Sequence, residues 1–264
     1  MSAAADFATL LGAERVKTHP LERLVYSRDG GISTGPVEVV VHPGTADEVV
    51  GVVGIARRHG LPIVPRGAGT GLAGGAVPTK PAVVVALTRM NQVHEVDVAS
   101  RTAWVGPGVI NLDLSRETAR HGLHYAPDPS SQSACTIGGN VATNAGGPHC
   151  LADGTTVVHV LAVELVTAEG EVLVLGGPAP DPIGLDLRGV VVGSEGTLGI
   201  VTRVLVRLTR DAPATRTLLL AFDDTAAAAA TVSAVISAGV IPAALEMMDR
   251  PIVAAVENFV HAGF

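Results

Sequence analysis

The chain has 264 residues, 47% hydrophobic and 16% charged, with a net charge of −7 from 18 basic and 25 acidic side chains. That length supports one large domain or two moderate ones, and an acidic balance with no basic run argues against nucleic acid, whose phosphates need a positive face. Two cysteines are too few for a disulfide scaffold and fit a reducing, cytoplasmic setting; no apolar run approaches a transmembrane span, and no charged, apolar leader precedes a cleavage site.

Residues 1–35 are expected to form a helical N-terminal extension. From residue 36 onward, strand and helix patterns alternate. Val37 to Val41 is a β-branched run that ends at Pro43. Thr45 and Glu48 have the spacing of a capping box, in which hydroxyl and carboxylate satisfy opposite free amides. Val49, Val52, Val53 and Ala56 then recur on one helical face, and Gly60 with Pro62 stops the helix. Ile63 and Val64 form a short strand leading into a glycine-rich stretch, and Ala82 to Leu87 reads as a buried strand.

The glycine-rich stretch Arg66 to Gly75 contains Gly69-Thr70-Gly71-Leu72-Ala73-Gly74, which satisfies GxGxxG. That fingerprint binds a dinucleotide by setting its pyrophosphate on the helix it opens. Here Gly74, Gly75 and Pro78 follow at once, so no helix can open and a Rossmann unit is disfavoured. Dense glycine still permits the backbone to turn its amides toward one anion. Four such donors, each worth roughly 1.5–3 kcal/mol to a charged group, would hold a pyrophosphate without a covalent bond. A plain surface loop leaves the glycines around Arg66 and Thr70 unexplained.

The next block begins near Gln92. Val93 to Val98 and Arg101 to Val105 pattern as a hairpin, and Asn111 is expected to cap a helix that ends at Gly122. Ala126 to Cys150 is rich in Gly, Ser, Asn and Pro. Val157 to Thr167 and Glu171 to Leu175 suggest a second hairpin, and Gly189 to Leu208 closes the block. Beyond it, Arg216 to Phe222 and Ala243 to Met248 suggest strands. Asp224 caps an alanine-rich helix ending at Gly239, and another helix starts at Ile252.

Other chemistry is thinly supported. His121 and His124 are separated by a helix-ending glycine, and no further ligands stand at metal spacing, so no metal site is assigned. Ser194 lacks the GxSxG elbow of a hydrolase, and no GK[ST] follows a glycine loop, which disfavours a nucleoside triphosphatase. Asp223 and Asp224 read most simply as caps. His149, just after Gly147, is a weaker candidate for a place near a bound group.

Three ordered strings carry a resemblance: PRGAGTGLAGG at Pro65 to Gly75, APDPSSQSACTIGGNVATNAGG at Ala126 to Gly147, and GSEGTLGIVT at Gly193 to Thr202. Together they resemble the vanillyl-alcohol-oxidase and p-cresol-methylhydroxylase flavoprotein superfamily, in particular its glycolate oxidase flavin subunit and D-lactate dehydrogenase branch. IPAALEMMDR at Ile241 to Arg250 is similar to the entry to that branch's substrate-binding cap.

The resemblance implies an α+β fold. A two-lobed FAD-binding domain of the p-cresol-methylhydroxylase type would span residues 36–213, with the beginning of a ferredoxin-like cap at 214–264. It implies that Pro65, Arg66, Gly67, Ala68, Gly69, Thr70, Gly71 and Leu72 wrap the FAD pyrophosphate. Asp128, Ser131, Gly138, Gly139, Asn140 and Asn144 would line the flavin and phosphate path, and Glu195, Gly196, Thr197, Ile200 and Val201 the adenine-ribose side and the ring edge.

Relatives with covalent flavin often carry histidine where this chain has Thr70, so FAD is expected to be noncovalent. Cys135 lies near a point where another branch attaches flavin through sulfur, although a small buried residue before a glycine turn is the simpler reading. The implied reaction is hydride transfer from a small D-2-hydroxy acid, glycolate or D-lactate, to flavin, giving a 2-oxo acid. Electrons would pass to a separate acceptor, for instance an iron–sulfur partner subunit. In that branch the substrate-binding histidines and arginine lie further along the cap than Phe264, so no catalytic base is assigned. Two alternatives stay open: a same-fold NADPH-dependent enolpyruvyl-sugar reductase, and a noncatalytic FAD-binding module that works with a partner chain.

Overall fold

The computed structural model describes residues 2–178 and 184–263. Two lobes are built on separate sheets. The first contains α1 (Ala3–Leu11), β1 (Val16–Lys17), α2 (Pro20–Tyr26), β2 (Val37–Val41), α3 (Ala46–Arg58), β3 (Ile63–Arg66) and β4 (Ala82–Ala86). Its sheet runs β1-β2-β4-β3, with β2, β4 and β3 parallel and β1 antiparallel at the edge. β4 reads Ala-Val-Val-Val-Ala and is buried throughout, the pattern of a parallel strand covered on both faces.

The capping box at α3 is present with one change of partner. Thr45 Oγ1 accepts from the Glu48 amide at 3.2 Å, while the Glu48 carboxylate reaches one residue further back, to the Gly44 amide at 2.6 Å. Arg15 donates to the same carboxylate oxygen at 2.8 Å, so the cap also ties α3 to the chain ahead of β1. Val49, Val52, Val53 and Ala56 are buried as the pattern requires. α1 lies against α3 and sends Phe7 and Leu11 into the same core, so the N-terminal residues are structural members of this lobe.

The second lobe holds β5 (Val93–Asp97), β6 (Thr102–Val105), α4 (Asn111–Thr118), β7 (Leu123–His124), α5 (Ile137–Thr143), α6 (Cys150–Asp153), α7 (Thr156–His159), β8 (Val160–Val166), β9 (Val172–Gly176), α8 (Leu187–Val191), β10 (Ile200–Arg207) and β11 (Thr209–Arg210). Its five-stranded sheet is antiparallel, in the order β5-β6-β10-β8-β9, and β11 pairs with β7. One face covers a core that includes Leu114, Tyr125, Ile137, Val141, Val163 and Val204. A smaller cluster joins Leu161, Ala162 and Leu205 with Trp104, over whose ring the Arg203 guanidinium stacks at 4.3 Å. Val166 and Ile200 belong to the first lobe's core.

Several expectations need correction. Asn111 does not cap α4; the cap position is Ile110, without a side-chain bond. Asn111 is fully buried, and its amide donates to the Pro127 carbonyl at 2.8 Å and to Asn140 Oδ1 at 3.0 Å. A primary amide can donate twice, and burial makes those bonds more valuable than one exposed cap. Val157 to His159 lie in α7, so β8 starts at Val160. Inside the polar stretch 126–150 sits a helix, α5, started by Thr136, whose hydroxyl accepts from the Gly139 amide at 3.2 Å.

Residues 214–263, where the beginning of a cap is expected, contain two helices, α9 (Thr225–Ser237) and α10 (Arg250–Val260), capped by Asp224 and Asp249. The strands expected at Arg216–Phe222 and Ala243–Met248 do not form. Helical hydrogen bonds are local, whereas a strand needs a neighbour to take its backbone groups. Among the described residues no such neighbour stands beside them, and Leu218, Leu219 and Leu220 are exposed. No helix of the described residues is long and apolar enough to cross a membrane.

Candidate functional site

The lobes meet along a narrow, open cleft. Pro65, Arg66 and Gly67 enter it from the end of β3, and Leu87 from the turn after β4. Pro107, Gly138, Gly139 and Ala142 face them from the second lobe, and Val191, Ser194, Glu195, Gly196, Gly199 and Val201 complete the wall. Parts of the three motifs, together with Leu87 and Pro107, are therefore brought together by the fold. Close backbone packing makes this possible. A Cβ on Gly67 would overlap Thr136 Oγ1, and one on Gly138 would come within 2.6 Å of Pro107 Cβ.

The loop after β3 opens no helix; the next regular element is β4. Its five glycines serve different ends. Gly69 and Gly74 adopt φ of +74° and +86°, in the left-handed region that side chains avoid. Gly67 and Gly75 give room to Thr136 and to the Glu195 carboxylate of the second lobe, whereas Gly71 faces open space. The Gly74 amide is taken by Asp29 Oδ2 at 2.9 Å, so it is not free for an anion. The amides of Gly69, Thr70, Gly71, Leu72 and Ala73 donate to no group among the described residues.

Arg66 supplies the charge. It is 8% exposed, donates to the Arg28 carbonyl at 2.7 Å and stands over the Tyr26 ring at 5.4 Å. No carboxylate forms an ion pair with it among the described residues. Burial pushes its guanidinium below the ordinary arginine range, opposed by Tyr26 and Asp29. A buried cation whose nearest carboxylate, Asp29, makes no direct ion pair with it still has room for an anionic ligand.

Of the residues expected at the site, Pro65, Arg66, Gly67, Gly138, Gly139, Glu195, Gly196 and Val201 line the cleft. Ala68 to Leu72 form the loop that leads away from it. Asn140 bonds Asn111 and Cys135, and Asn144 Oδ1 accepts from the Val157 amide at 2.9 Å. Asp128 Oδ2 lies 2.5 Å from His149 Nδ1. Thr197 bonds the Ser194 carbonyl, Ile200 is core, and the Ser131 carbonyl accepts from Ala134 and Cys135. Cys135 is buried, with its sulfur 3.3 Å from the Asn140 amide nitrogen.

Sequence reasoning missed Leu87, Pro107, Ala142, Val191, Ser194 and Gly199, of which all but Ser194 contribute shape rather than polar chemistry. It also missed Arg28 to Thr34, which crosses the glycine loop; the Asp29-Gly30-Gly31 turn signature was its available signal. No cluster of metal-ligating side chains exists among the described residues.

The second lobe also carries an acid-sensitive group. His159 is 4% exposed; its Nε2 lies 2.8 Å from the Asp153 carbonyl and its Nδ1 has no partner. Burial lowers its pKa below 6.5, as it does for His42. Above about pH 6.5 both folded and unfolded forms are neutral. As pH falls below that value the unfolded chain takes up protons first, so stability is lost progressively toward the folded pKa. The melting temperature should hold steady between neutral and mildly alkaline pH and fall in acid. A flat profile through that acid range would show that these histidines are not held neutral.

The profile for the FAD binding domain matches residues 37–176. The chain belongs to that family. Residues 212–263 match the C-terminal domain of FAD linked oxidases. The chain is 45% identical over 245 residues to glycolate oxidase subunit GlcD of Escherichia coli K12, covering 92% of this chain and 49% of the relative. It is 42% identical over 254 residues to GlcD of Bacillus subtilis, covering 96% and 54%. The chain thus spans about half the length of the curated relatives it matches. Among solved structures, alkyldihydroxyacetonephosphate synthase superposes with a TM-score of 0.78 at 22% identity, over 92% of this chain and 46% of the other, which establishes the shared α+β fold. FAD is the cofactor of this family member, and the unpaired amides beside Arg66 fit its pyrophosphate.

Proposed function

We propose that this chain is the FAD-holding part of an oxidoreductase that converts a D-2-hydroxy acid, glycolate or D-lactate, to the 2-oxo acid. The observation that carries it is the run of five acceptor-less amides, Gly69 to Ala73, beside the buried, unpaired Arg66. The choice of glycolate rests on the GlcD relatives and that of D-lactate on a relative named D-lactate dehydrogenase.

In this reading Pro65 to Leu72 wrap the pyrophosphate, with the Arg66 charge behind them. Gly138 and Gly139 permit close approach of the flavin, and Glu195, Gly196, Thr197, Ile200 and Val201 border the adenine-ribose side and ring edge, largely through backbone atoms. Asp128, Ser131, Asn140 and Asn144 act one step back, by fixing the segments that carry the wall. Bound flavin supplies the hydride acceptor; the chain's own residues bind it, orient it and exclude water. Residues 36–213 make up the FAD-binding unit and 214–264 the first part of the cap. Electrons leave to a separate carrier, for which an iron–sulfur subunit is the proposed partner, in a cytoplasmic setting.

Thr70 offers no ring nitrogen for attachment, so acid precipitation of the loaded protein should release yellow cofactor to the supernatant. Colour retained in the pellet would contradict noncovalent binding. With the rest of the substrate-binding cap present, anaerobic addition of glycolate or D-lactate should bleach the flavin. Bleaching by NADPH alone would reassign the site to an enolpyruvyl-sugar reductase, and no bleaching by any hydroxy acid to a binding module.

A further inference from the structure

Residues 28–34 form a strap closed by the Arg28–Thr34 bridge, and it lies along the glycine loop. Asp29 sits near its start, half-buried. Asp29 Oδ2 accepts from the Gly74 amide at 2.9 Å, and Oδ1 accepts from the Gly31 amide at 2.8 Å. The Gly30 amide donates to the Gly71 carbonyl at 2.9 Å. Arg66 is drawn to the same strap by its bond to the Arg28 carbonyl.

The strap meets the loop through carbonyl oxygens. A Cβ on Gly30 would stand 2.9 Å from the Thr70 carbonyl oxygen and 3.1 Å from that of Gly71, and one on Gly31 would stand 2.9 Å from that of Leu72. Three successive carbonyls therefore face the strap. In a trans peptide the N–H points opposite to the C=O of the same plane. The amides of Gly71, Leu72 and Ala73 consequently face away from the strap, together, and all three are among those without an acceptor. Successive amides on one side make an anion-binding concavity.

We propose that this strap presets the polarity of the glycine loop, and that Asp29 is a positioning residue for the FAD pyrophosphate. The inference rests on the FAD reading above and goes beyond it by giving the loop's shape an external cause. Glycine alone leaves each peptide plane free to flip. Asp29 and Gly30 remove that freedom before the cofactor arrives, so binding loses less conformational entropy.

The test uses the full chain as apoprotein, with FAD binding followed by flavin fluorescence and release followed after dilution. Asp29→Ala should weaken FAD and speed its release on the order of tenfold or more. Asp29→Asn, which keeps one acceptor, should fall between it and the unaltered chain. Gly30→Ala, which lifts the strap without touching Asp29, should act like Asp29→Ala. Because the effect is on pyrophosphate, ADP measured in competition should lose affinity by the same factor as FAD. Asp113→Ala, on the exposed face of α4, should change nothing. FAD affinity and release unaltered in all three strap variants, or FAD weakened while ADP holds, would overturn the strap. Failure of the unaltered chain to take up FAD would overturn the strap and the proposed function together.

Discussion

Gly67→Ala is expected to lower stability by about 1–3 kcal/mol, the range for forcing an extra methyl into packed structure. FAD affinity should fall roughly tenfold with it, a loss of about 1.4 kcal/mol. The added Cβ would overlap Thr136 Oγ1, the oxygen that starts α5 by accepting from the Gly139 amide. Thr136 can escape only by rotating, which uncaps the helix carrying Gly138 and Gly139 into the cleft. A paired Thr136→Ala change removes the clashing oxygen at the cost of the cap, so Gly67→Ala and Thr136→Ala together should cost less than their sum. Urea unfolding of the four proteins measures this directly. Strict additivity would mean that the two residues do not press on each other.

Phe7→Ala should cost more, about 3–5 kcal/mol, the usual loss for emptying a phenylalanine site in a core. Phe7 is fully buried, in one cluster with Val39, Val49, Val52 and Val53. The ring seals α3 against the sheet that delivers β3 to the cleft, so a lower unfolding midpoint should come with weaker flavin retention. Loss of less than about 1 kcal/mol would place α1 outside the cooperative unit.

How much of this was legible depended on whether the determining contacts were local. β2, α3 and β4 could be read from their β-branched runs, the Thr45–Glu48 spacing and Gly60, because those signals act within a few residues. α5 was not legible: Gly138 and Gly139 have poor helix propensity, and only Thr136 ahead of them and the facing Pro107 explain why helix and glycine coexist there. Asn111 looked like a cap because caps are the common use of asparagine, whereas its partners, Pro127 and Asn140, are far along the chain. The segments 216–222 and 243–248 carry strand composition without strand neighbours among the described residues.

For the site, the three motifs were legible and the fold brings them to one cleft. The partners of Asn140 and Asn144 were not, because Asn111 and Val157 lie far along the chain: Asn140 meets Asn111 and Cys135, and Asn144 Oδ1 accepts from the Val157 amide. The strap over the glycine loop follows from a pairing across more than forty residues, which no local pattern encodes.

The stack of Arg203 on Trp104 has a practical side. Trp104 is the only tryptophan of the chain, and it lies on the sheet of the second lobe, away from the glycine loop. Its emission is a built-in tag for the sheet of that half of the molecule, while in the other half Tyr26 stands beside Arg66. The second lobe's sheet thus carries an optical signal of its own.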